Sequence, residues 1–224
     1  MSKVASIISG ILLAMGASCF VICNYAASNR RSTAAVHTGA FRSAVYNKQM
    51  VDTAVSLLRS GYVVLRMGFG ADSYLLSQMN QKDKSYSHCG IVMIEHGYPF
   101  VYHSIGGEDN PDERLRRDSA CFFFSPTHNK NIAIVHYDYT SAQINDLRQI
   151  VARYYRQRPR FDMKFDLASD DKIYCAEFIY KAVNEATHDT GYIRTTTLLG
   201  YTFVGIDDLF LNPHADVVWQ TKFK

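Results

Sequence analysis

The feature that most restricts the fold is a pair of β-rich runs joined by a short turn. Residues 87–95 read SHCGIVMIE and residues 99–105 read PFVYHSI, with HGY between them. Two such runs on either side of a short turn predict a β-hairpin. Side chains alternate between the faces of a strand, so His88 and Cys89 are expected to point in opposite directions. We interpret Cys89 as a residue that fills the core.

Helical patterns lie on both sides of this hairpin. Apolar residues recur at helical spacing from Ser43 to Leu58, and Thr140 precedes an amphipathic run that ends at Pro159. Residues 169–186, SDDKIYCAEFIYKAVNEA, predict a helix with Cys175 in its first turn. Further strands are predicted at YVVLRMG, CFFF, NIAIVHYDY and ADVVWQ, and a turn-rich excursion at GGEDNPDERLRRD. The expected class is α+β, with a mostly antiparallel sheet packed against helices.

Composition excludes several classes of protein. The chain has 224 residues, of which 47% are hydrophobic and 20% charged, as in globular domains. The net charge is only +3 and no long Lys/Arg block occurs, so nucleic-acid binding is not expected. The five cysteines are irregularly spread, and no Cys-x-x-Cys or His-Glu-x-x-His pattern is present. We therefore expect neither a metal nor another cofactor.

The N-terminus carries an uncharged apolar run of roughly membrane-spanning length, VASIISGILLAMGASCFVIC, at residues 4–23. A signal peptide, an uncleaved anchor and a lipoprotein signal all fit this run, and the small residues before Cys19 favour processing there. We expect an exported protein, periplasmic or membrane-anchored. The expected organisation is a signal peptide or anchor at 1–27, a linker at 28–42 and the folded domain at 43–224.

Cys175 is the candidate nucleophile. A helix N-terminus lowers the pKa of a thiol through its unpaired N–H groups and its dipole, and the same groups can hold an oxyanion. The alternative is a small buried hydrophobic residue. A base would favour catalysis, and His88 can supply one, with His103 on the partner strand positioned to orient its imidazole.

Five segments together resemble the YiiX-like permuted members of the NlpC/papain cysteine peptidase superfamily. The resemblance covers roughly residues 50 to 220 and includes the order in which the histidine strand precedes the cysteine helix. The segments are GYVVLRMG, YSHCGIVM, FVYHS, FDLASDDKIYCAEFIYKAV and DDLFLNPHADVVW. The fold that it implies is a circularly permuted papain-like fold.

The resemblance implies roles for individual residues. Cys175 matches the nucleophile and His88 matches the general base. His103 is the expected third catalytic group, with Tyr102 and Glu108 as alternatives.

Three further residues are expected around the substrate. Tyr174 is expected to flank the pocket, with plain core packing as the alternative, and Tyr102 to contact substrate. Glu177 is expected to point away from the sulfur and to hold a loop or line the cleft.

The expected function is that of an exported cysteine hydrolase. It would cleave peptide or amide bonds through a thioester acyl-enzyme, with cell-envelope molecules as substrates. Two alternatives stay open: a lipid acyl hydrolase or transferase on the same fold, and a catalytically silent ligand-binding envelope protein. The expected partners are a peptide, amide or lipid-derived acyl substrate and, through the N-terminal run, a membrane.

Overall fold

The computed structural model describes residues 40–107, 110, 112–169 and 171–224. The predicted signal peptide or anchor, most of the predicted linker and Glu108 lie outside these residues. The chain divides into a unit up to Tyr46 and a larger unit, Asn47–Lys224, which contains the sheet and the site described below.

The larger unit is built around a six-stranded antiparallel sheet. Its strands lie in the order β4-β3-β2-β1-β5-β8, and β6 and β7 form a separate two-stranded sheet. The strands are β1 (Val63–Gly68), β2 (His88–Glu95), β3 (Tyr98–His103), β4 (Arg116–Ser119), β5 (Asn129–Tyr137), β6 (Thr196–Leu198), β7 (Tyr201–Phe203) and β8 (Ala215–Lys222). The helices are α1 (described over residues 40–57), α2 (Ala71–Ser77), α3 (Ala120–Phe123), α4 (Ser141–Gln157), α5 (Cys175–Thr187) and α6 (Ile206–Phe210).

The predicted hairpin is confirmed as β2 and β3. Glu95 lies opposite Tyr98, so His96 and Gly97 form a two-residue turn. Both turn residues have positive φ, 49° and 84°, which is the conformation of the turns that match strand twist in hairpins.

Side-chain alternation divides the interior into two hydrophobic cores on opposite faces of the sheet. The first core lies between the sheet and α4 and α5, and includes Leu65, Cys89 and Cys175. The second core lies under the residues of α1 from Val51 onward and under α3, and includes Val64. Because both faces are covered, the first three residues of β1 and the first six residues of β2 are buried.

Two predicted elements are wrong. The CFFF run is not a strand, because the Ser119 side chain accepts a hydrogen bond from the Phe122 N–H and caps the short helix α3. The end of the predicted turn-rich excursion is not a loop, because Arg116–Ser119 pairs with β3 and places Asp118 opposite Val101. Both errors fall at the edge of the sheet that β4 forms.

The α+β class with a mostly antiparallel sheet is confirmed. In the described ranges, no helix has both the length and the apolar content that crossing a membrane requires.

Candidate active site

Helix α5 begins at Cys175, so the predicted first-turn position of this thiol is confirmed. Tyr174, the N-cap residue, has extended backbone (φ −94°, ψ 171°) and no side-chain capping bond. The pKa of Cys175 is lowered, chiefly by the adjacent Cys89 thiol and further by the N–H groups of Ala176 and Cys89, against the opposing effect of burial. The Cys89 thiol and the N–H groups at the start of α5 therefore together favour a thiolate.

A shallow cleft opens in front of Cys175, and its empty volume of about 270 Å³ includes open solvent. Its lining is mostly apolar and includes Leu76, Met79, Phe165, Val204 and Ile206. Apolar walls with few polar groups are typical of small-molecule sites.

Tyr174 lies in this cleft beside the thiol, as predicted. Its hydroxyl accepts a hydrogen bond from the Val204 N–H at 2.8 Å, and its ring packs edge-on against Phe165 with centroids 5.1 Å apart. The hydroxyl is thus engaged with the backbone, and the residue holds two segments of the cleft wall together.

Glu177 performs the tethering role that was one of its two predicted roles. Its Oε2 accepts a hydrogen bond from the Tyr174 N–H at 3.1 Å, and its Oε1 lies 2.9 Å from the Lys181 ammonium. Burial raises the pKa of Glu177 to about 7, against the pull of Lys181 and the Tyr174 N–H. It does not line the cleft. Glu177 therefore stabilises the start of α5 from within the core.

A chain of three polar side chains lies across β2, β3 and β4. His88 Nε2 is 2.8 Å from His103 Nδ1, and His103 Nε2 is 3.0 Å from Asp118 Oδ2. Burial and the Arg66 charge hold the pKa of His88 well below its ordinary value. Burial also lowers the pKa of His103, although Asp118 opposes that shift. Both rings are therefore neutral near pH 7.

Because both imidazoles are neutral, the hydrogen bonds among His88, His103 and Asp118 fix which ring nitrogens carry hydrogen. The Asp118 carboxylate only accepts, so His103 Nε2 carries its hydrogen and His103 Nδ1 is an acceptor. His88 Nε2 must then donate to that acceptor, which leaves His88 Nδ1 with a free lone pair. The nitrogen that is not bound to His103 is thus the basic one.

The predicted direct contact between Cys175 and His88 is not formed. In the described residues no hydrogen bond joins these side chains, and the sulfur instead meets Cys89, the next residue along β2. The His88 ring packs against Phe123 of the second core, with centroids 5.7 Å apart. The physical reason is alternation: α5 packs on the face of β2 that carries Cys89, and His88 turns to the other face.

Among the described residues, no hydrogen bond joins the Tyr102 side chain to Cys175, His88 or His103. Tyr102 alternates with His103 along β3, packs in the first core and donates its hydroxyl to Glu95 Oε1 at 2.5 Å. It is therefore not the third group, and it does not line the cleft. Glu108, the other alternative, is outside the described residues.

Sequence reasoning missed two site residues. Asp118 was assigned to a loop but lies in β4, paired with β3. Residues two apart in a strand point to the same face, so Arg116 and Asp118 share one face of β4. Cys89 was correctly expected to be buried, but its contact with Cys175 was not foreseen, because nothing in its local sequence indicates which helix covers it.

Comparison with known proteins supports the fold alone. No protein-family model matches the chain, and no curated protein matches it. Its structure is similar to the crystal structure of the metalloprotein yiiX from Escherichia coli O157:H7, with a TM-score of 0.60 and 17% identity. The match covers 73% of this chain and 98% of that one. The expected YiiX-like fold is therefore confirmed.

Proposed function

We propose that this chain, whose fold is YiiX-like, is a cysteine hydrolase that cleaves peptide or amide bonds through a thioester on Cys175. The observation that carries the proposal is a thiol of lowered pKa at a helix start, at the wall of an apolar cleft. A histidine with an unprotonated nitrogen occupies the preceding position on the strand that the thiol contacts.

The first step is attack of the Cys175 sulfur on a carbonyl carbon, which forms a tetrahedral intermediate and then a thioester. The N–H groups at the start of α5 already face the sulfur and would lie near the developing oxyanion. Water then releases the acyl group.

His88 is the proposed proton carrier, with His103 and Asp118 fixing its tautomer. Because His88 extends from the face of β2 opposite Cys89, the proposal requires the first residues of β2 to change conformation when substrate binds, so that the imidazole reaches the reacting atoms. Catalytic hydrogen bonds often form only in the substrate complex.

A lipid-derived acyl group is the second candidate substrate. The observation in its favour is the cleft wall, where Leu76, Met79, Val204 and Ile206 offer apolar contact but no charged partner. A peptide substrate would place an apolar side chain there, whereas a lipid would place the start of an acyl chain.

No step of the proposal passes through a metal. Although yiiX is described as a metalloprotein, the part of this chain that the structure describes contains no group of three or more His, Cys, Asp or Glu side chains suited to hold a metal ion. Both ring nitrogens of His103 are already committed to His88 and Asp118.

Export remains part of the proposal on sequence grounds. The uncharged run at residues 4–23 would carry the chain into or across a membrane and place the enzyme near envelope substrates. The intact mass of the protein purified from cell fractions tests this, because cleavage, lipidation and retention give three different masses.

The test of function is an acyl probe that forms a stable thioester, followed by peptide mass spectrometry. We expect acylation of Cys175 in the wild type, none at that site in Cys175→Ala, and unchanged acylation in Cys121→Ser, which alters an exposed thiol. Amide and lipid-ester probes of matched length separate the two substrate classes. A wild type that binds such probes without acylation would be a silent binding protein and would contradict the proposal.

A further inference from the structure

The contact between Cys89 and Cys175 is not used by the proposed hydrolysis. Cys89 extends from β2 with none of its surface exposed, and Cys175 extends from α5 with 7% exposed. Both side chains belong to the first core, and both are free thiols that act as hydrogen-bond partners. Each thiol interacts with the other strongly enough to shift its pKa, so the two side chains are neighbours between β2 and α5.

We propose that Cys89 is the resolving thiol for oxidised Cys175, so that a hydroperoxide entering the cleft converts the pair into a disulfide between β2 and α5. Cys175 lines the cleft and Cys89 does not, so a small oxidant reaches Cys175 first. Reactive cysteines beside a second thiol are the arrangement found in redox-sensing sites.

The electrostatics of the pair assign the two roles. The pKa of Cys175 is lowered and the pKa of Cys89 is raised well above its ordinary value, mainly by burial. The proton shared by the two sulfurs therefore resides on Cys89. Cys175 is the thiolate that attacks, and Cys89 is the thiol that resolves.

The chemistry balances with the peroxide as the only oxidant. The Cys175 thiolate attacks one peroxide oxygen, the O–O bond breaks, and hydroxide or alkoxide leaves while the sulfur becomes a sulfenic acid. The Cys89 sulfur then attacks the Cys175 sulfur, the S–O bond breaks, and the leaving hydroxide takes the Cys89 proton as water. Two thiols and one hydrogen peroxide thus give one disulfide and two waters.

The disulfide would protect the nucleophile from irreversible oxidation. In its absence a sulfenic acid proceeds to sulfinic and sulfonic acids. The accompanying loss of hydrolysis on oxidation rests on the proposed function, whereas formation of the disulfide does not.

The test treats the reduced full-length chain with hydrogen peroxide, alkylates the remaining thiols under denaturing conditions and maps the peptides by mass spectrometry. We expect a linked Cys89–Cys175 peptide, lighter than its reduced components by two hydrogen atoms, in the wild type and in Cys121→Ser. Cys89→Ala should give no linked peptide, and the Cys175 that is oxidised should end as sulfinic acid. The sulfinic acid should form more slowly than the wild-type disulfide, because the variant also lacks the thiol that chiefly lowers the pKa of Cys175.

The outcome that overturns the inference needs no variant. Wild-type protein in which Cys175 becomes sulfinic acid while Cys89 stays alkylatable, or in which Cys175 links to Cys19, Cys23 or Cys121, would refute it. Activity separates the two proposals. A wild type that forms the disulfide but hydrolyses nothing would contradict the proposed function alone, and an active enzyme without the disulfide would contradict this inference alone.

Discussion

Helices α4 and α5 pack against the same core, but their first turns differ. At the start of α4, Thr140 Oγ1 accepts from the Gln143 N–H at 3.2 Å, and Gln143 Oε1 accepts from the Thr140 N–H at 2.8 Å. This reciprocal pair is a capping box. At the start of α5 only half of it exists, because Glu177 accepts from the Tyr174 N–H but Tyr174 provides no side-chain acceptor in return.

The missing half of the box has a chemical consequence. In α5 the Cys175 sulfur accepts from first-turn N–H groups, where α4 has the Thr140 hydroxyl. The partial positive charge of the helix N-terminus therefore stabilises a negative charge on the sulfur. The capping bond that α5 does have, from the Tyr174 N–H to the Glu177 carboxylate, lies in the interior, since Glu177 is fully buried. The α4 start is therefore capped on both sides, whereas the α5 start has one cap and leaves first-turn N–H groups to the Cys175 sulfur.

The largest effect is expected from removing the sulfur at the start of α5. Cys175→Ala should abolish turnover, a loss on the order of a million-fold where a nucleophile has been removed from other hydrolases. Helix formation should persist, because alanine is a good helix former. Steady-state kinetics measure the loss of turnover and circular dichroism measures the helix content, with Cys121→Ala as the control. Residual turnover within tenfold of the wild type would exclude Cys175 as nucleophile.

Removing the His88 imidazole should cost less. We expect His88→Ala to lose ~100- to 10,000-fold in kcat/KM, the usual value of general base assistance. Because burial lowers the pKa of His88, the neutral base persists at acidic pH, and the acidic limb of the wild-type profile should lie below pH 6.5. His128→Ala, an exposed histidine, is the matched control. An acidic limb at or above pH 6.5 would argue against His88.

Asp118→Asn tests the proton assignment without removing a ring. The amide can donate to His103 Nε2, which would move both histidine hydrogens and leave a proton on His88 Nδ1. A wrong tautomer has cost roughly 10,000-fold in a Ser-His-Asp enzyme, and we expect up to that loss in kcat with little change in KM. The ¹⁵N shifts of the two rings report the tautomers directly. Full activity with an altered tautomer would exclude His88 Nδ1 as the base.

The buried cap of α5 should make stability depend on pH. Glu177 has a pKa of about 7 in the fold against 4.5 ordinarily, so the folded state binds the extra proton between these values. The stabilising contribution of Glu177 to the free energy of unfolding is thus fully present below pH 4.5, and it is lost as the pH rises through about 7. Because glutamine resembles the protonated acid, Glu177→Gln should gain roughly 3 kcal/mol relative to wild type between pH 4.5 and pH 8.

Urea unfolding at the two pH values measures this difference, with Glu185→Gln, an exposed partner of Arg153, as the control. An equal difference between Glu177→Gln and wild type at both pH values would show that Glu177 ionises normally.

The smallest effect belongs to the α4 cap. Thr140→Ala removes one acceptor from an exposed helix start and should reduce the free energy of unfolding by about 1 kcal/mol. Activity should be unchanged, since α4 lies outside the cleft lining. If Thr140→Ala lowered turnover as well, the contrast between a structural and a reactive helix start would fail.

The elements that the sequence predicted correctly carry local signals. Thr140 marks the start of α4, and HGY marks the β2–β3 turn. The missed residues depend on long-range pairing. Asp118 joins the histidines only because β4 pairs with β3, and short-range periodicity does not specify that partner.

The same limit applies to the thiol and the imidazole. Alternation correctly placed His88 and Cys89 on opposite faces, but it could not say which face α5 covers. The face of β2 on which α5 packs depends on the packing of whole helices and strands. In this fold α5 packs on the Cys89 face, so Cys89 rather than His88 contacts the Cys175 sulfur.

The most direct test of the central claim, that the Cys89 thiol and the start of α5 together make Cys175 a thiolate, is the pH dependence of iodoacetamide modification in the native protein. Peptide mass spectrometry would follow Cys175, Cys89 and the exposed Cys121 in the same sample. We expect Cys175 to react faster than both at neutral pH, with an apparent pKa below that of Cys121. A Cys175 that reacts no faster than Cys121, and only as pH approaches the ordinary thiol pKa, would contradict the account.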